Sequence, residues 1–109
     1  MESIDLGSPA YTQLLVVNDL LGLKLIQRAV LSIILQDCKI DNVCMKKNSD
    51  IAFLVGVHER SVARAVNVLK HMGYLMVTTT GQHSSRKRYI HITEDLVLDL
   101  IRAKKRREK

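Results

Sequence analysis

The chain has 109 residues, 47% of them apolar and 26% charged, with one proline and five glycines. That balance fits one globular domain with one core and excludes a disordered linker protein. Net charge is +6 but unevenly spread: residues 1–45 hold three Lys/Arg against five Asp/Glu, a balance of −2, and residues 46–109 hold 14 against six, a balance of +8.

Residues 1–10 read as a flexible leader with neither the basic nor the apolar region of a secretory signal. No apolar run is long enough to span a membrane, so a cytoplasmic protein with no membrane partner is expected. YTQLLVV, Tyr11–Val17, favours a strand, although LLVVNDLLGL also fits a helix; Asn18-Asp19 marks a break. From Leu23 to Asp37 the pattern is helical. Leu25, Ala29, Ile33 and Gln36 follow one line and Ile26, Val30 and Ile34 a neighbouring one, an arc broad enough to predict the most buried helix. Lys39–Asn48 carries Asp-Asn turn chemistry and reads as a loop, with a short extended piece at Val43–Met45.

Ser49 is the expected N-cap of a short helix, Asp50–Val55, and Gly56 its left-handed end. His58 takes the N-cap slot of a second helix, Glu59–Met72, which Gly73 closes. Tyr74–Thr80 and Arg88–Ile92 read as strands around a turn-rich loop, Gly81–Lys87. Thr93 and Glu94 open a last helix, Asp95–Ala103, in which Leu96, Leu100 and Ile101 can pack. Lys104–Lys109 is a basic tail, expected to be a disordered arm because six consecutive charges cannot bury. The single domain therefore spans residues 11–103.

Catalytic signals are missing. Cys38 and Cys44 stand at C-x5-C, which matches no common zinc spacing, and no His pair accompanies them. Both are read as reduced. His58, His71, His83 and His91 are scattered, and there is no Gly-rich phosphate loop or nucleophile–base pair. Neither an enzyme nor a cofactor or metal is expected.

The helix Glu59–Met72 carries the stronger signal. At 100° per residue, Val62, Ala65, Val66, Leu69 and Met72 fall on one side. Arg60, Arg64, Asn67 and His71 fall opposite, at i, i+4, i+7 and i+11. All four are hydrogen-bond donors and no carboxylate joins them. An ordinary solvated face predicts mixed signs with Glu/Lys pairs four apart. Arg60 and Arg64 instead repel each other, a cost that an anionic ligand removes. Arginine's planar fork suits guanine or phosphate oxygens, and asparagine suits adenine. Arg86 and Lys87 in the loop between strands, with His83 nearby and Arg88 at the edge of the return strand, add a second basic element able to reach a phosphate backbone.

SDIAFLVGVHERSVARAVNVLKHMGYL followed by a basic hairpin resembles the winged helix-turn-helix domains of bacterial transcription regulators and of phage and plasmid replication proteins. The resemblance rests on Leu54-Val55-Gly56, Val57, Arg60-Ser61-Val62-Ala63-Arg64 and Leu69–Leu75, and covers roughly residues 20–92. It departs from the family at His58, where Ser or Thr is usual. It implies an α+β, mainly α fold: a winged helix-turn-helix with a β-hairpin wing and a C-terminal helix. It also implies double-stranded DNA as partner, with Ser49, His58, Arg60, Ser61, Arg64, Asn67, His71, Arg86, Lys87 and Arg88 as the candidate contacts. A homodimeric transcription regulator, a replication-initiation or other mobile-element protein and a protein-interaction module all remain open. The last helix and the N-terminal segment are the apolar pieces expected to serve dimerisation.

Overall fold

The computed structural model describes residues 22–107 together with Val17 and Leu20. The leader and most of Tyr11–Val17 lie outside the described residues. Val17 itself is helical rather than extended, and its carbonyl accepts the Leu20 amide at 3.0 Å.

Helix α1 spans Leu25–Asp41. Its buried stripe is Gln27, Val30, Leu31, Ile34, Leu35 and Cys38, the i, i+3/i+4 repeat of one helix face. This stripe corrects two expectations. Leu25 heads the wrong line and is 79% exposed. The helix also runs through Lys39-Ile40-Asp41, where the turn chemistry predicts a loop, because Cys38 continues the apolar stripe one turn beyond Ile34. Gln27 opens the helix by accepting the Lys24 amide through Oε1 at 2.9 Å. Asn42 ends it with φ 64°, its amide bonded to the Cys38 carbonyl at 2.9 Å. Asparagine tolerates that left-handed turn better than most residues.

Helix α2 spans Asn48–Val55. Its start corrects the N-cap assignment. Lys47 holds the cap position, and the Asp50 carboxylate reaches back to the Lys47 amide at 3.0 Å. A charged acceptor in the third helical position thus does the work expected of the Ser49 hydroxyl, and Ser49 sits exposed inside the first turn. Gly56, φ 82°, ends α2 and turns the chain toward α3, Glu59–His71. A residue with a Cβ would be strained at that angle. Val62, Ala65, Val66 and Leu69 of α3 are buried in one cluster with Ile51 and Ala52 of α2. Met72, expected on the same seam, lies at the helix end and is 39% exposed.

Strands β1 (Leu75–Thr80) and β2 (Lys87–Ile92) form an antiparallel hairpin in register from Leu75 opposite Ile92 to Thr80 opposite Lys87. Leu75–Ile92 and Val77–Ile90 are the pairs on the core side. A 3₁₀ turn at His83–Ser85 forms the tip. The extended piece expected at Val43–Met45 is a single bridge. Cys44 and Ile90 exchange both backbone hydrogen bonds at 2.9 Å.

Helix α4 spans Glu94–Arg107. Thr93 caps it, accepting the Leu96 amide at 3.3 Å and donating its hydroxyl to the Gly73 carbonyl at 2.5 Å. The helix includes Lys104–Arg107 rather than stopping at Ala103. Burial is not needed for helicity there, since Lys and Arg are good helix formers and favour the negative end of the helix dipole. Leu96, Leu100, Ile101 and Ala103 are buried within the chain, while Val97 and Leu98 are partly buried.

Tyr74 joins β1 to α4 by donating its hydroxyl to Asp99 Oδ2 at 2.5 Å. Arg102 Nη1 donates to the other oxygen at 3.1 Å. Burial, then the donated bond to the Asp99 carboxylate, push the Tyr74 phenol from 10.0 up to about 12. The folded state therefore holds this proton more tightly than the unfolded chain does. The stabilisation is complete below pH 10 and is lost as pH rises toward 12. Urea unfolding measured across that window should show falling stability, with a shallower fall in Tyr74→Phe. Identical slopes in the two proteins would refute the assignment.

Candidate nucleic-acid interface

The outward face of α3 is built by the same periodicity that builds its core face. Arg60, Arg64, Asn67 and His71 are all exposed, opposite buried Val62, Ala65, Val66 and Leu69. Among the described residues, neither Arg60 nor Arg64 has a hydrogen-bond or carboxylate partner. Both guanidinium groups have their donors available. His71 is different: its Nδ1 lies 2.8 Å from the Asn67 carbonyl and donates to it, which turns Nε2 outward. Glu59 lies in the positive first turn, where a carboxylate is favoured.

His58 holds the N-cap position in extended backbone, φ −76° and ψ 150°, without a side-chain capping bond. Its carbonyl accepts the Ser61 and Val62 amides at 3.0 and 3.3 Å. The ring is therefore not used as a cap and is exposed at the turn before α3. Ser61 is partly buried in the first turn, whereas Ser49 is exposed in the first turn of α2.

The hairpin residues divide. Arg86 and Lys87 are exposed. Arg88 is partly buried and turned inward: Nη1 donates to Asn48 Oδ1 at 2.7 Å and Nη2 to the Lys46 carbonyl at 2.7 Å. Burial pulls its pKa below the usual arginine value. Arg88 thus ties the wing to the start of α2.

The fold also gathers Lys46 and Lys47 beside Arg86, Lys87 and Arg88 around one basin. Neither lysine was a candidate from sequence. The signal was present as a Lys-Lys pair just ahead of a helix, but only the Cys44–Ile90 bridge brings it to the wing. Lys46 is already paired, with Nζ 2.6 Å from both oxygens of Asp37.

Other chemistry is poorly served. Cys38 and Cys44 are buried and unpaired. Burial pushes both thiols up, Cys44 to about 11, so neither is a thiolate at neutral pH. Among the described residues, no group of three His, Cys, Asp or Glu could hold a metal ion, and no helix is long and apolar enough to cross a membrane.

No protein-family model matches the chain, and no curated protein matches it. Among solved structures it is similar to smu.1704 from Streptococcus mutans UA159, at 20% identity and a TM-score of 0.53, over 77% of this chain and 76% of that one. The likeness is one of fold: four helices and a two-stranded antiparallel hairpin among the described residues, in a winged-helix-like arrangement.

Proposed function

We propose that the chain binds double-stranded DNA sequence-specifically, as a transcription regulator, with α3 in the major groove and the wing over the backbone. The observation that carries this reading is the α3 stripe: Arg60, Arg64, Asn67 and His71 exposed together, with neither arginine satisfied among the described residues. An anionic helical groove supplies the missing acceptors. Arg60, Arg64 and Asn67 reach base edges; His58, Ser49, Arg86 and Lys87 meet phosphates. His71 offers Nε2 from the end of the helix. Ser61, partly buried, supports the first turn, and Arg88 positions the wing.

The test is duplex binding by fluorescence anisotropy at several salt concentrations. Binding should weaken linearly in log–log form, with a slope near −0.9 for each phosphate neutralised. No binding at low salt would overturn the reading in favour of a protein-interaction module. Footprints of bound sites then separate roles: protection of origin repeats instead of a promoter would move the assignment to replication initiation. Two protected half-sites about one helical turn apart would identify a pair of copies.

A further inference from the structure

Strand β2 and the segment ahead of α2 pair at one point only. Cys44 and Ile90 exchange backbone bonds at 2.9 Å, and extending that antiparallel register by two residues would set Lys46 opposite Arg88. No backbone bond joins those two. The Arg88 side chain takes the acceptor instead, with Nη2 on the Lys46 carbonyl and Nη1 on Asn48 Oδ1, each at 2.7 Å. The strands part there and leave a half-open basin of about 450 Å³ between the wing and the start of α2.

The charge of this basin is only partly compensated: Asp37 neutralises Lys46, and Asp50 accepts the Lys47 amide, but Lys47, Arg86, Lys87 and Arg88 have no ion-pair partner among the described residues. Arg88 is partly buried, yet both of its acceptors are neutral. A desolvated cation without a counter-charge is costly. Lys47 stands on one wall and Arg86 and Lys87 on the other, all exposed and without side-chain partners among the described residues. Asn48 has its amide oxygen occupied by Arg88, which leaves its NH₂ as a further donor. Among the described residues no carboxylate lines the basin.

We propose that this basin is a binding site for a phosphate group, held between Lys47 and the Arg86–Lys87 pair over the fixed Arg88 guanidinium. A tetrahedral phosphate carries its oxygens out of any single plane and so accepts from both walls at once, which the two coplanar oxygens of a carboxylate do less well. The phosphate comes either from a DNA backbone, in which case the site deepens the DNA-binding reading, or from a free phosphate compound.

The experiment is a ¹⁵N NMR titration of the full chain, first with inorganic phosphate and then with a short duplex, each against chloride at matched ionic strength. Phosphate should give saturable shifts at the Lys47, Asn48, Lys87 and Arg88 amides. In Lys47→Gln/Lys87→Gln, whose spectrum should otherwise overlay, phosphate binding should weaken about tenfold, the scale of one or two lost charge-assisted bonds. Duplex shifts at the basin together with α3 would identify the backbone as the source. Basin shifts with phosphate alone would identify a free phosphate compound. A duplex that binds nowhere would sink the DNA reading and leave the phosphate arm to decide the site. Shifts no larger at the basin than at the exposed cations of α4, or equal shifts with chloride, would overturn the proposal.

Discussion

Ile90→Ala should cost about 2–5 kcal/mol of folding stability, the range for removing a large buried aliphatic side chain. Ile90 is fully buried and stands where three parts of the domain meet. It faces Val77 across the hairpin and exchanges backbone bonds with Cys44. The Cys38 thiol of α1 lies 3.9 Å from its carbonyl oxygen. Against a total of about 5–15 kcal/mol for a typical domain, the loss is severe. Urea denaturation followed by circular dichroism should show a much lower midpoint, whereas Ile90→Val should cost only about 0.5–1.5 kcal/mol. Thr79→Ala, on the exposed side of the hairpin, should stay within about 0.5 kcal/mol. A loss below 1 kcal/mol in Ile90→Ala would mean that β2 is not the tie between wing and helices.

Ile90 also shows where local pattern stops being informative. The hairpin, the turn at Gly56, α3 and the Thr93 cap were legible because each rests on neighbours within a few residues: a glycine that accepts positive φ, a 3.6-residue repeat, a hydroxyl three residues before an amide. Cys44 pairing with Ile90 joins residues 46 apart, and nothing in either local sequence announces it. The basin depends on that pairing, so Lys46 and Lys47 were invisible as site residues. Arg88 looked like one more wing cation for the same reason; only the arrival of Asn48 and the Lys46 carbonyl turns it inward. Helix ends failed differently. At α1 two apolar lines compete on a broad arc, and the line through Cys38, not the one through Leu25, faces the core. At α2 an aspartate outcompetes the adjacent serine for the free amide. The exposure of the α3 stripe, by contrast, follows directly from helical phase.

Arg64→Ala therefore tests that stripe with little confusion from folding. Arg64 is exposed and makes no intramolecular bond among the described residues, so stability should change by no more than about 0.5 kcal/mol. Relief of the Arg60–Arg64 repulsion offsets part of any loss by a few tenths, the usual worth of a pair four apart. Duplex affinity should fall by about 1–3 kcal/mol if the fork meets a guanine edge, and preference among sequences should relax. Arg64→Lys keeps the charge but not the planar fork, and should lose most of the same specificity. Lys87→Ala should behave otherwise, weakening all sequences alike and reducing the salt slope by about 0.9. Anisotropy on selected and scrambled duplexes separates the two effects. If Arg64→Ala weakens every duplex equally, α3 contributes charge but does not read bases. If it changes neither affinity nor preference, the unpartnered arginines of α3 serve something other than DNA.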